Sequence, residues 1–234
     1  MNLELALEQL FDALSRGDRP KARQVIASQL DEGLSPQELV IDLLWPTYES
    51  LEKLHRSDQI EELSYRFATR LLRVLVDQAA CELPRRSLGG RRIFAVSGPS
   101  ESDDLGAQMA VDLLEANGFD VTFAGGGIPG DEIMSHTHTH RPDILLMFCS
   151  APSDLPQIRE VIDKLREMNA TPHTQVVVGG GVFNRAEGLA EEIGADLWAC
   201  DPLELVEELI ENPEVRAEES QRTVGRKRRP NQAA

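Results

Sequence analysis

From Arg91 onward the apolar residues recur in short runs separated by segments of helical pattern, and this alternation constrains the fold more than any other feature of the chain. The runs fall at 92–97, 120–124, 143–149, 175–179 and 195–199, and the helical segments near 104–117, 130–140, 154–169, 185–193 and 202–211. Strands that are apolar throughout, rather than alternating, are buried on both faces. A βα repeat achieves this by laying its crossover helices over a parallel sheet. Crossovers of this kind are right-handed, so five βα units predict a doubly wound, flavodoxin-like α/β fold in the strand order 2-1-3-4-5. Ligands of such folds sit at the carboxyl ends of the strands, beside the switch point between the first and third strands.

Ahead of Arg91 the period is helical. Leu3, Leu7, Leu10, Phe11 and Leu14 share one stripe and Ala22, Val25, Ile26 and Leu30 the next, with Gly17 and Gly33 as breaks. Ser35-Pro36-Gln37-Glu38 has the composition of a capping box with proline at the first helical position. It opens a third helix that carries Leu39, Leu43, Leu44, Tyr48 and Leu51 and is expected to kink at Pro46. Ile60, Leu63, Phe67, Leu71, Leu72, Leu75 and Val76 line a fourth. Residues 1–83 are therefore expected to form a four-helix bundle domain, joined by the linker 84–90 to an α/β domain of residues 91–211. Residues 212–234, with the basic run Arg226-Lys227-Arg228-Arg229-Pro230, read as a disordered charged tail.

The formal net charge of −16 and pI of about 4.7 disfavour direct binding to nucleic acid. Cys81, Cys149 and Cys200 are far apart and form no Cys-x-x-Cys pair, which predicts neither a disulfide framework nor a zinc site and points to a reducing, cytoplasmic compartment. No run approaches the roughly 18 apolar residues of a membrane span, and Met1-Asn2-Leu3-Glu4 is not a basic leader.

Candidate chemistry begins at Glu101-Ser102-Asp103-Asp104-Leu105-Gly106, in the turn between the first strand and its helix. One reading is helix capping by Asp103 or Asp104. A phosphoryl-accepting receiver is disfavoured, because the third strand ends in Phe148-Cys149-Ser150 without an aspartate and the fifth in Ala199-Cys200-Asp201 without a lysine. Taken with Ser150-Ala151-Pro152 and Gly179-Gly180-Gly181, the turn resembles the cobalamin-binding domain of methionine synthase and of the corrinoid proteins of methyltransferase systems. The resemblance covers most of the chain, because a four-helix domain ahead of such an α/β domain is that family's usual module. It implies cobalamin as cofactor, with haem as an alternative tetrapyrrole. It further implies a nucleotide tail contacted by Ser150 and by Gly179, Gly180 and Gly181, and a loop Asp-x-His-x-x-Gly whose glycine is Gly106. At the histidine position this chain has Asp103, flanked by Ser102, and a carboxylate cannot supply the neutral nitrogen donor that tunes cobalt. Sensory members of the family carry a tryptophan, nine residues, then Glu-His over the cobalt face. The corresponding positions are His55, Tyr65 and Arg66. His55 is thereby a candidate axial ligand to the metal and Tyr65 a cofactor contact, against a reading of His55 as a solvated helix end.

His136, His138 and His140 cluster at a helix end, where histidines complementing the helix dipole are expected rather than a metal site. No serine, cysteine or lysine has an evident base partner, so a catalytic role is not expected. The sequence reading is a cobalamin-binding sensory or regulatory protein, with the ligand held between helical cap and α/β domain and signalling through a protein partner. The alternatives are a corrinoid methyl carrier of a methyltransferase system and a ligand-free scaffold for protein interaction.

Overall fold

In the computed structural model of the chain, residues 3–84, 86, 90–169 and 171–217 are described, with Glu101 and Ser102 described as helical backbone alone. The helices are α1 (Leu3–Ser15), α2 (Arg19–Asp31), α3 (Pro36–Glu38), α4 (Trp45–Arg56), α5 (Glu62–Glu82), α6 (Glu101–Ala116), α7 (Gly130–His140), α8 (Leu155–Met168), α9 (Gly181–Arg185), α10 (Leu189–Ile193) and α11 (Pro202–Glu211). The strands are β1 (Arg92–Ser97), β2 (Asp120–Gly126), β3 (Ile144–Phe148), β4 (Gln175–Gly179) and β5 (Leu197–Ala199). Among the described residues no helix is long and apolar enough to cross a membrane.

The capping box is formed as expected: Glu38 N donates to Ser35 Oγ at 3.2 Å and Ser35 N to Glu38 Oε2 at 2.8 Å. The kink expected at Pro46 takes the form of a π-helical stretch, Leu39–Leu44, between α3 and α4. Proline has no amide hydrogen and its ring clashes with the carbonyl four residues back, so the turn before it widens. Thr47 Oγ1 donates to the Leu43 carbonyl at 2.7 Å and so satisfies one group of the disturbed ladder.

The sheet has the predicted order, β2-β1-β3-β4-β5, with β1–β3, β3–β4 and β4–β5 parallel. Every residue of β3 and β4 is buried, which is why these strands are unbroken apolar runs. Along one face Phe94, Val96, Leu145, Met147, Val176 and Val178 meet Ile158, Val161, Ile162 and Leu165 of α8. The helix expected at 185–193 is instead two short helices, α9 and α10, broken where Gly188 takes φ +79°.

The tail differs from expectation. Residues 212–217 are tied to the amino edge of the sheet. Buried Gln175 donates to the carbonyls of Asn212 and Val215 at 3.0 Å each, Arg216 to that of His173 at 3.0 Å, and Ala217 N to Asp196 Oδ1 at 2.8 Å. A charged segment stays on the surface of a fold when its backbone carbonyls have buried donors to meet. The remainder of the expected tail, with the basic run 226–230, lies outside the described residues, as does most of the expected linker.

The chain divides into two compact units, one of residues 1–90 and 99–121, the other of residues 91–98 and 122–234. Within the first unit α6 packs with α4 and α5 of the bundle. In the first unit, Asp112 of α6 is 9% exposed. Gln108 Nε2 donates to its Oδ1 at 2.6 Å, while its Oδ2 has no partner among the described residues. Burial, opposed by the Gln108 hydrogen bond and aided by Glu115 and Asp77, pushes its carboxyl up to about 6. A carboxyl raised by folding binds its proton more tightly in the native state. Its contribution to stability is therefore complete below the unfolded value of 3.8 and lost as pH rises through about 6. Asp112→Asn is expected to stabilise the protein by about 1–3 kcal/mol near neutral pH, with the gain vanishing towards about pH 4. Urea unfolding of both proteins across that range checks this; a gain independent of pH would exclude ionisation as its source.

Candidate functional site

The turn after β1 is organised as a helix start. Ser100 is the N-cap of α6 and forms a capping box with Asp103, whose amide donates to Ser100 Oγ at 3.1 Å while Ser100 N donates to Asp103 Oδ2 at 3.4 Å. Asp103 is 5% exposed. The capping reading thus accounts for the acid at the position where the resemblance implies a histidine. The side chain of Ser102 lies outside what the structure describes. Gly106 is in the second turn of α6, and a Cβ there would stand 2.7 Å from Tyr48 Oη and 3.0 Å from its Cζ. The glycine therefore admits a ring from α4. Tyr48 is buried beside Trp45, ring centroids 5.3 Å apart. Burial first, then the charges of Glu52 and Asp103, hold its phenol well above the usual tyrosine range.

His55 and Tyr65 come together. Their rings stack with centroids 3.7 Å apart and planes 4° from parallel. Tyr65 Oη donates to Glu52 Oε1 at 2.5 Å, and Glu52, itself buried, also faces Arg56 at 3.7 Å. Glu62 Oε2 lies 3.1 Å from His55 Nε2, and Glu62 Oε1 accepts from Arg66 Nε at 2.7 Å. The hydrogen bonds from Arg66 and His55 hold the Glu62 carboxyl below its ordinary value. A carboxylate at Nε2 favours the proton on that nitrogen, which leaves Nδ1 as the lone-pair nitrogen of a neutral ring. Far from a freely solvated helix end, His55 is oriented on one face by an aromatic ring and at one nitrogen by an acid.

The second unit holds the turns that follow β3 and β4. Gly180 has φ +107°, and a Cβ on it would run into the Cys149 carbonyl, with the Cys149 N only 2.9 Å away. Cys149 N donates to the Gly179 carbonyl at 2.9 Å, locking the two turns side by side. A bulky residue at Gly180 therefore disturbs the backbone as well as any ligand. Gly126, at the end of β2, is likewise pressed on the Gly98 carbonyl after β1. Ser150 accepts at its carbonyl from Arg185 at 2.6 Å. A Cβ on Gly181 would sit 2.7 Å from the same guanidinium. Arg185 escaped the sequence reading; the signal for it was a cation one helical turn after the glycine triplet.

The histidine cluster remains apart from these turns. His136 and His140 stack at 4.0 Å, with Phe94 4.2 Å from His136, and among the described residues no group of three or more His, Cys, Asp and Glu could hold a metal ion.

Two family models, each described as a B12 binding domain, match residues 91–207 and 6–79. The chain belongs to the B12-binding domain family. It is 22% identical over 205 residues to monomethylamine corrinoid protein 1 of Methanosarcina acetivorans, covering 83% of this chain and 93% of that protein. Dimethylamine corrinoid protein 1 of the same organism is 27% identical over 126 residues, covering 53% of this chain and 58% of that protein. The structure of the Methanosarcina barkeri monomethylamine corrinoid protein shares the fold with a TM-score of 0.69 at 16% identity, over 89% of this chain and 98% of that one. Membership makes cobalamin, rather than haem, the cofactor. At the turns after β3 and β4, Gly179 is buried and Gly180 and Gly181 are half-buried, and the absence of side chains there, which brings backbone close to backbone, is compatible with a group that lies along the chain. The turn after β1 does not fit an imidazole-ligated cobalt, because it has an aspartate engaged in a helix cap where the nitrogen would be.

Gly106→Ala is expected to destabilise the first unit by about 1–3 kcal/mol through the clash with Tyr48, and Gly106→Ala combined with Tyr48→Leu is expected to recover part of that loss. Thermal unfolding of the two variants and the parent tests it; purely additive losses would mean that Tyr48 is not what the glycine accommodates.

Proposed function

We propose that this chain is a corrinoid protein that carries cobalamin for a partner methyltransferase. The observation that supports it is the pairing of both B12-binding models along one chain with likeness, over most of its length, to a monomethylamine corrinoid protein. The same likeness favours the carrier over the sensory reading drawn from the sequence. When bound, cobalamin supplies a cobalt centre that accepts and releases a methyl group. The chain's own part is to hold and orient the cofactor, with Ser150 and the Gly179–Gly181 turn against the nucleotide tail. The substrate class follows the relatives' names, a methylamine.

Asp103, committed to capping, leaves the nitrogen ligand to come from elsewhere. His55 is our candidate, since Glu62 and Tyr65 already orient it and Nδ1 is the nitrogen left to donate. Tyr65, hydrogen-bonded to buried Glu52, keeps the ring in place. The test is electron paramagnetic resonance of the reduced cobalt(II) form on unlabelled and 15N-labelled protein. A nitrogen splitting that changes with protein labelling and disappears in His55→Ala is expected. A pattern indifferent to labelling would show that cobalamin retains its own base and that His55 is not a ligand. Methyl transfer from a methylamine in the presence of a cognate methyltransferase tests the carrier role itself, and ready cobalamin binding without transfer would restore the sensory reading.

A further inference from the structure

The first unit has an apolar groove of about 440 Å³ between α2 and α5. Leu39, Leu75 and Ala79 are its buried side, whereas Ile26 is half-buried, Ala27 is exposed and Leu30 is 37% exposed. Ile26 and Leu30 are one helical turn apart on α2 and share a face with Arg23 and Ala27. The margin is Arg23 on α2 with Gln78 and Glu82 on α5, all exposed. An apolar centre with a polar margin is the order of a protein interface, and covering the centre removes Leu30 and Ile26 from water. Neither Arg23 nor Glu82 forms an ion pair among the described residues. Glu82 also ends α5, whose last turn has no basic residue, at the end of the helix dipole that disfavours an acid.

These two charges decide what covers the groove. On a chain with net charge −16, a foreign partner would be recruited by a field of one sign, which a margin of one cation and one acid does not make. A second copy of the same surface satisfies both. In a two-fold contact residue i faces j and j faces i, so a patch carrying one charge of each sign complements itself. Each margin is also locally neutral, so two acidic chains meet there without the repulsion that separates the rest of their surfaces.

We infer that the groove between α2 and α5 is a self-association surface on which two copies of this chain pair with two-fold symmetry. Leu30 of each copy covers the groove of the other, and Arg23 of each faces the partner's Glu82. The inference is independent of the cofactor and of the carrier reading.

Sedimentation velocity over a concentration series tests this on the full chain and on Leu30→Asp, Arg23→Glu, Glu82→Arg and the double exchange Arg23→Glu with Glu82→Arg. The parent is expected to dimerise reversibly. Leu30→Asp is expected to abolish the dimer, because it sets a carboxylate in the apolar centre. Each single charge reversal creates two like-charge contacts by symmetry and is expected to weaken the dimer about tenfold or more. The double exchange is expected to return it to within about threefold of the parent. General repulsion between acidic chains predicts otherwise: Glu82→Arg lowers the net negative charge and would strengthen association, a result that overturns the inference. A parent that stays monomeric at every concentration gives the groove to another occupant, and a dimer indifferent to Leu30→Asp has its contact elsewhere; either overturns it. Failure of the double exchange to restore a dimer that the single reversals weaken would overturn the two-fold arrangement. Arg23 and Glu82 are exposed, so the charge variants fold like the parent and decide alone if Leu30→Asp is misfolded by circular dichroism.

Discussion

The whole arrangement depends on burying β3 and β4 along their full length. A strand with no solvent-facing side must have its backbone groups paired on both edges and its side chains covered on both faces, and within one chain this is met by parallel pairing with helical crossovers. Parallel pairing places every strand-to-helix turn at the same edge. Ser97-Gly98, Gly126, Cys149-Ser150 and Gly179-Gly180-Gly181 all lie at carboxyl ends for that reason alone. A site built from turns is a consequence of this connectivity, before any ligand is considered.

The glycines at that edge show how folding and binding share residues. Gly180 is required because the adjoining Cys149 backbone occupies the space a Cβ would take, and its φ of +107° is one that other residues rarely adopt. Gly106 is required because Tyr48 lies on it. A glycine pattern read as ligand recognition is therefore partly a record of close internal packing. What joins the two roles is geometry: where backbones approach within contact distance of each other, no side chain stands between them and a ligand's flat or extended groups. The family match names the cofactor, and the packing explains the shape of that edge.

Electrostatics separates the two units. In the first, three acids are buried and tied by specific hydrogen bonds, Glu52 on Tyr65, Asp103 in its cap and Asp112 half-paired, while Glu62, on His55 and Arg66, is exposed. In the second, the turns after β3 and β4 are tied by backbone hydrogen bonds and by Arg185, a cation on a strongly acidic chain. The β1 turn carries Asp103 and no histidine, and the oriented imidazole of the first unit, His55, is on α4. Departure from the family motif in the β1 turn leaves the glycine turns after β3 and β4 in place.

The strand order, the five βα units and the capping box at Ser35 were legible in the chain because each is set by local periodicity and by which residues tolerate a given backbone. An unbroken apolar run cannot face water, and a serine three residues before a glutamate satisfies two orphan amides wherever it occurs. The likeness of the glycine turns and of Ser150 to a cobalamin site rests on resemblance to a known family and not on periodicity. The stacking of His55 on Tyr65, the ring of Tyr48 over Gly106, the placement of α6 with the helical bundle and the reach of Arg185 across two turns were not legible, since each joins residues from different elements whose approach is set by packing in three dimensions. Residues 212–217 make the same point: their charge predicts solvation, but two carbonyls facing the amide of buried Gln175 hold them against the sheet. Periodicity determines what a segment becomes, and only the assembled core determines what it touches.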